Sequence, residues 1–231
     1  MFYLACIFTV ITSLILPIFA AVYFSIKYEK TWQAVLAGCL TFIVFQLCIR
    51  IPVIQVVLPK TAWYTLISVT NPIFYALFLG VTAGLAEELG RYIVMQLFMK
   101  KNRNFVSAIA FGIGHGGIEA ILLVGINGLL SLFISTTGVT AGYVLASGVE
   151  RIFAMAIHIA CSIIVMKGII LKKIRWLMLA FFLHSIVDAI VVFATLQGIS
   201  IFTIEVCLAI FTAGVVIYIS REYRNYKKGV Y

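Results

Sequence analysis

Trp176–Gln197 reads WLMLAFFLHSIVDAIVVFATLQ, and within it only His184 and Asp188 are titratable. As a helix rising ~1.5 Å per residue it reaches roughly 33 Å, enough to cross a bilayer hydrocarbon core of about 30 Å. It is apolar on every face, unlike a surface helix of a soluble domain, which carries one apolar stripe. The reading is therefore a membrane helix, and a histidine and an aspartate at its centre call for a reason.

The rest of the chain repeats the pattern. Its 231 residues are 64% hydrophobic and 11% charged, with a mean hydropathy of +1.15, far more apolar than a soluble domain. Hydropathy predicts an all-α, polytopic transmembrane helical bundle of about seven spans, near 2–26, 32–57, 67–98, 105–126, 145–166, 176–197 and 200–219. The third is long, and Asn71-Pro72 marks an expected break or kink. The loop after the fourth carries a Ser-Thr-Thr run and Gly138, with apolar residues suited to an interfacial segment. Nothing resembles a linker, so residues 1–231 are expected to form a single integral membrane domain, with a motif-bearing core at about 67–197. The five cysteines are scattered and read as small core residues rather than disulfides or a thiolate metal site.

The net charge of +9 does not indicate a nucleic-acid partner, because the cations sit in short loops beside the spans. Lys27 and Lys30 follow the first span and Lys100, Lys101 and Arg103 the third. Lys167, Lys172, Lys173 and Arg175 follow the fifth, and Arg221, Arg224, Lys227 and Lys228 close the chain. The positive-inside rule then places the N terminus outside and the C terminus in the cytoplasm. The first span lacks a basic leader and a small-residue cleavage site and reads as a retained helix.

Ionisable residues at bilayer depth mark function by default. AEELGR at Ala86–Arg91 sets Glu87 and Glu88 one helical turn from Arg91, so either carboxylate can reach the guanidinium. The pairing leaves one carboxylate over, available as an acid or base; a structural ion pair is the plain alternative. FGIGHGGIEA at Phe111–Ala120 places His115 and Glu119 on one face among glycines that allow close helix approach. His158 follows Arg151 by seven residues on the same face, with Glu150 nearer the expected boundary; structural and functional roles for Glu150 and Arg151 are evenly balanced. His184 and Asp188 are i,i+4, a spacing that lets a carboxylate join or orient an imidazole at a metal. Counting ~1.5 Å per residue from the nearest basic loop puts Glu87 roughly 20 Å deep, His115 roughly 18 Å, and His158 and His184 about 14 Å. Imidazoles and carboxylates meeting near mid-membrane would suffice for a zinc-type site with an open position for water. They would equally suit substrate binding or proton relay without metal. The soluble HExxH protease motif is absent.

At these residues the chain resembles the YhfC-type intramembrane metalloprotease family, within the wider group of CAAX prenyl proteases and bacteriocin-processing enzymes. That group carries a Glu-Glu…Arg helix, an FxxxH helix and an HxxxN/D helix, matched in order by Glu87-Glu88…Arg91, Phe111…His115 and His184…Asp188. The resemblance implies a multi-pass enzyme of a cell membrane, the bacterial plasma membrane, hydrolysing a peptide bond in a transmembrane or membrane-associated protein or peptide. Glu87 would activate water held by His115 and His184, and Asp188 would stabilise an oxyanion or complete a ligand set. Glu88, Arg91 and Glu119 would join the catalytic group. His115, His158, His184 and Asp188 would form the candidate set for zinc or another divalent metal. The EExxR spacing departs from the group's usual EExxxR, while Glu119, Glu150, Arg151 and His158 suit the YhfC-type pattern. The layout also looks like the anterior-pharynx-defective subunit of gamma-secretase, which implies the competing function: a non-catalytic scaffold binding partner helices through its buried polar cluster. A transporter is disfavoured by the lack of an inverted repeat.

Overall fold

The computed structural model describes residues 1–134 and 138–229, so the Ser-Thr-Thr run expected in the interfacial loop lies outside the described residues. The described chain is all-helical: α1 Phe2–Lys27, α2 Thr31–Lys60, α3 Ala62–Thr70, α4 Pro72–Phe98, α5 Phe105–Leu130, α6 Ala141–Leu171, α7 Arg175–Leu196 and α8 Ile201–Lys227. Seven of these, all but the short α3, are long and apolar enough to cross a membrane. Together they make this a multi-pass membrane protein.

Local chemistry sets the helix ends. Asn71 accepts a bond from the Phe74 amide at 3.0 Å, and Pro72 fills the first helical position, where its missing N–H costs nothing. The expected break at Asn71-Pro72 is thus a full separation of α3 from α4. Asn104 caps α5 through the Ser107 amide at 2.8 Å, and Thr140 caps α6 through the Tyr143 amide at 3.2 Å. Lys172, at φ 53°, ends α6 in the left-handed region. The fifth span runs over Ala141–Leu171, and the seventh runs on to Lys227 because its polar end stays helical beyond the apolar stretch. Widened i→i+5 turns at Ile11–Ile15 and Phe42–Arg50 precede Pro17 and Pro52, whose rings cannot donate to the regular ladder.

α6 is the central helix: 67% of its most apolar stretch is buried, against 17% for α8 at the edge. α4 packs on α7, α2 on α5, and α6 against α5 and α8. Several of these contacts depend on missing side chains. A Cβ on Gly80 or Gly84 of α4 would collide with Ser185 of α7, and one on Gly112 of α5 would come within 2.5 Å of the Ile159 Cα in α6. Glu87 stands one turn beyond Gly84, and His115 one turn beyond Gly112. The glycine contacts therefore bring α4 to His184 and α5 to His158.

Candidate metal centre

Four helices meet at the Glu87 carboxylate. Its Oε2 lies 2.9 Å from His115 Nε2 on α5, 3.8 Å from His158 Nδ1 on α6 and 3.8 Å from His184 Nε2 on α7. Glu87 is 3% exposed and His115 fully buried, so bulk solvent screens these contacts little. The imidazoles form a row, with ring centroids 5.0 Å apart from His115 to His158 and 5.5 Å from His158 to His184.

Carboxylates on the outer side aim two of these rings. His184 Nδ1 donates to Glu88 Oε1 at 2.7 Å, leaving Nε2 directed at Glu87 and at Asp188 Oδ2, 3.7 Å away. His158 Nε2 lies 2.6 Å from Glu119 Oε2, while Arg91 Nη2 approaches its Nδ1 at 3.3 Å. A guanidinium only donates, so Nδ1 accepts and Nε2 carries the proton toward Glu119. Outer carboxylates of this kind fix tautomer and ring orientation in metal-ligating histidines. Both are themselves neutralised: Glu88 by Arg91 at 3.1 Å, and Glu119 by Arg151 at 2.8 Å. Glu150 also binds Arg151 and lines the cavity beside the centre.

The predicted residues thus come together, with distinctions. Of the two glutamates able to reach Arg91, Glu88 takes it. Asp188, on the opposite side of His184, has a side chain 38% exposed and belongs to neither of the two buried donor groups. The first group is Glu87, His115 and His158; the second is Glu88, Cys161 and His184. In each, one atom per residue lies within 4.8 Å of the others. Cys161, read from sequence as a core residue, gives no signal of this placement. Arg91 touches both groups, Glu88 at 3.1 Å and His158 Nδ1 at 3.3 Å.

A cavity of about 310 Å³ borders the cluster. Glu87, Glu119, Glu150 and Asp188 line it, with His158, His184, Arg50 and Arg151. Four carboxylates face two guanidiniums, an acidic excess that suits a divalent cation. His115 Nδ1 and Glu88 Oε2 are buried without hydrogen-bond partners among the described residues. On donor chemistry, the residues fit a zinc-type ion. Arg50, a cation inside the second span of the sequence, and Gln46 reach the cavity from the widened turns of α2; Gln46 alone carries no sequence signal. Val187, Val191 and Leu208 line both this cavity and an adjoining apolar cleft of about 260 Å³ between α7 and α8.

An all-helical, multi-pass membrane protein with a buried glutamate–histidine centre able to hold a metal is the class these features define. Comparison with known proteins makes it more particular: the model of the YhfC intramembrane metalloprotease family matches residues 12–144 and 135–212, and the chain belongs to that family. An uncharacterized membrane protein YhfC of Bacillus subtilis (strain 168) is 28% identical over 200 residues, covering 74% of this chain and 77% of the relative. No solved structure matches the chain.

Proposed function

We propose that this chain is an intramembrane metal-dependent peptidase, cleaving a peptide bond of a membrane or membrane-associated protein or peptide within the bilayer or at its edge. The observation that carries this is the single Glu87 oxygen facing three imidazole nitrogens beside a cavity. His115, His158 and His184 would be the nitrogen ligands of zinc or another divalent ion. Such an ion supplies Lewis-acid activation of water and of the scissile carbonyl.

The remaining work falls to the chain itself. Glu87 takes a proton from the attacking water as its oxygen bonds to the carbonyl carbon. It returns that proton to the amine as the C–N bond breaks. Glu88 and Glu119 act through His184 and His158, holding the rings in the required tautomers, with Arg91 and Arg151 balancing their charge. Asp188, on the cavity wall, is placed to meet the polarised carbonyl or its neighbouring amide. The cleft between α7 and α8 offers an apolar route from lipid to site. The same reading treats the chain as one integral membrane domain, with the N terminus outside and the basic helix ends in the cytoplasm.

Mapping of newly formed protein termini in bacterial membranes tests this for any substrate the membrane contains. Membranes containing the wild-type chain should show termini that vanish with Glu87→Gln at equal protein level. Identical terminus maps would sink the peptidase reading. If His158→Ala or His184→Ala then dissolved a complex of the chain, the scaffold would stand in its place.

A further inference from the structure

A second polar cavity, of about 270 Å³, lies where α4 and α6 end and α7 begins. Gln96, Arg103, Lys172 and Lys173 form its polar wall, and Ile174 and Leu177 its apolar edge; none of its lining residues is acidic. A bias of basic residues toward one membrane side accounts for cations in these connections. It does not account for a concave site among three helices or for the state of Arg103. The Arg103 guanidinium is held in place, since Nη2 donates to the Gln96 carbonyl oxygen at 2.8 Å and to Gln96 Oε1 at 3.1 Å. Its Nε is buried with no partner among the described residues. Lys172 and Lys173 leave one tight turn, fixed by the left-handed Lys172 and by the Lys173 amide bonded to the Gly168 carbonyl at 2.9 Å.

We propose that this cavity binds the phosphate of an anionic phospholipid headgroup, with Arg103, Lys172 and Lys173 as its cationic contacts. A phosphate diester matches the three cations that line this one cavity. The apolar edge selects a lipid over phosphate in solution: Ile174, 63% exposed, places hydrocarbon surface beside the cations, as the junction of headgroup and acyl chain requires. The site is separate from the glutamate–histidine centre and independent of the peptidase reading.

Native mass spectrometry of the full chain in detergent, titrated with phosphatidylglycerol, phosphatidylcholine or inorganic phosphate, tests the site. Phosphatidylglycerol should bind one equivalent at least about tenfold tighter than phosphatidylcholine, and inorganic phosphate should not displace it. Lys172→Gln/Lys173→Gln should weaken that binding by about fivefold per lysine. Both side chains are exposed, so the fold should tolerate the change. Lys227→Gln/Lys228→Gln removes the same charge elsewhere and should leave binding intact. Equal binding of the two lipids, or equal loss in both double variants, overturns the proposal. Displacement of the lipid by inorganic phosphate overturns the lipid as ligand and identifies the pocket as a site for phosphate in solution.

Discussion

Glu87 and Glu88 are neighbours on α4 and both are buried, yet they stand in opposite surroundings. Glu88 is tied to the Arg91 guanidinium at 3.1 Å and to the His184 ring at 2.7 Å. Glu87 has no guanidinium partner and faces three imidazoles at the cavity wall. Successive helix positions point about 100° apart, so one residue step separates a neutralised carboxylate from one available for proton transfer. The Glu88 side resembles the Glu119–Arg151 pair on α5 and α6, where a carboxylate likewise steadies a histidine and is balanced by an arginine. The centre therefore has a paired shell that aims and an unpaired interior where chemistry would take place.

The sharpest way to break this division is Glu87→Gln. As the base, it should lower peptide-bond turnover on the order of 10³-fold while leaving the zinc content of the purified protein at the wild-type level. Loss of zinc together with turnover would instead make Glu87 a ligand and move the base elsewhere. Glu88→Gln should do the converse, leaving the Arg91 charge buried without a balancing anion. We expect a destabilisation of about 3 kcal/mol, read by unfolding in mixed detergent and dodecyl sulfate micelles. Glu87→Gln should cost clearly less; equal losses would erase the distinction between the two carboxylates.

Much of this arrangement is legible in the amino-acid sequence, and the limits are physical. Apolar runs too long for soluble helices expose the spans, and Asn71-Pro72 exposes the break. The i,i+3 and i,i+4 spacings bring Glu88 to Arg91 and set Glu119 on the face of His115. Which glutamate takes the arginine is not legible, since both spacings allow the contact and α5 and α7 decide it by bringing imidazoles. Cys161 gives no signal, because an isolated cysteine in an apolar helix matches an ordinary core position. Gln46 gives none either, whereas Arg50 stands out as a cation inside a span; the approach of both to the cavity depends on the packing of α2 and its widened turns. The helix end at Lys227 lies beyond the hydropathy bound because hydropathy falls where polar side chains begin, while the backbone ladder continues.

The paired shell is best sharpened at Glu119. Glu119→Gln keeps a side-chain oxygen near His158 but removes the charge that favours a proton on Nε2. Loss of such an orienting carboxylate should weaken metal binding by about 10- to 100-fold, measured by competition with a zinc chelator. Unchanged affinity would mean that His158 is aimed by Arg91 and packing alone.

Asp188 supplies the smallest expected effect and the finest division of the centre. It shares a helix face with His184, but its carboxylate is 3.7 Å from Nε2 and its side chain 38% exposed. A contact so distant and open to the cavity carries at most about 1 kcal/mol, so Asp188→Asn should change zinc affinity by less than about fivefold. If the chain is the proposed peptidase, its position on the cavity wall would set it beside the substrate, and the substitution should act on turnover more than on metal content. A loss of zinc as large as that of Glu119→Gln would draw Asp188 into the ligand set and move the boundary between shell and interior one helix further, to the wall of the cavity itself.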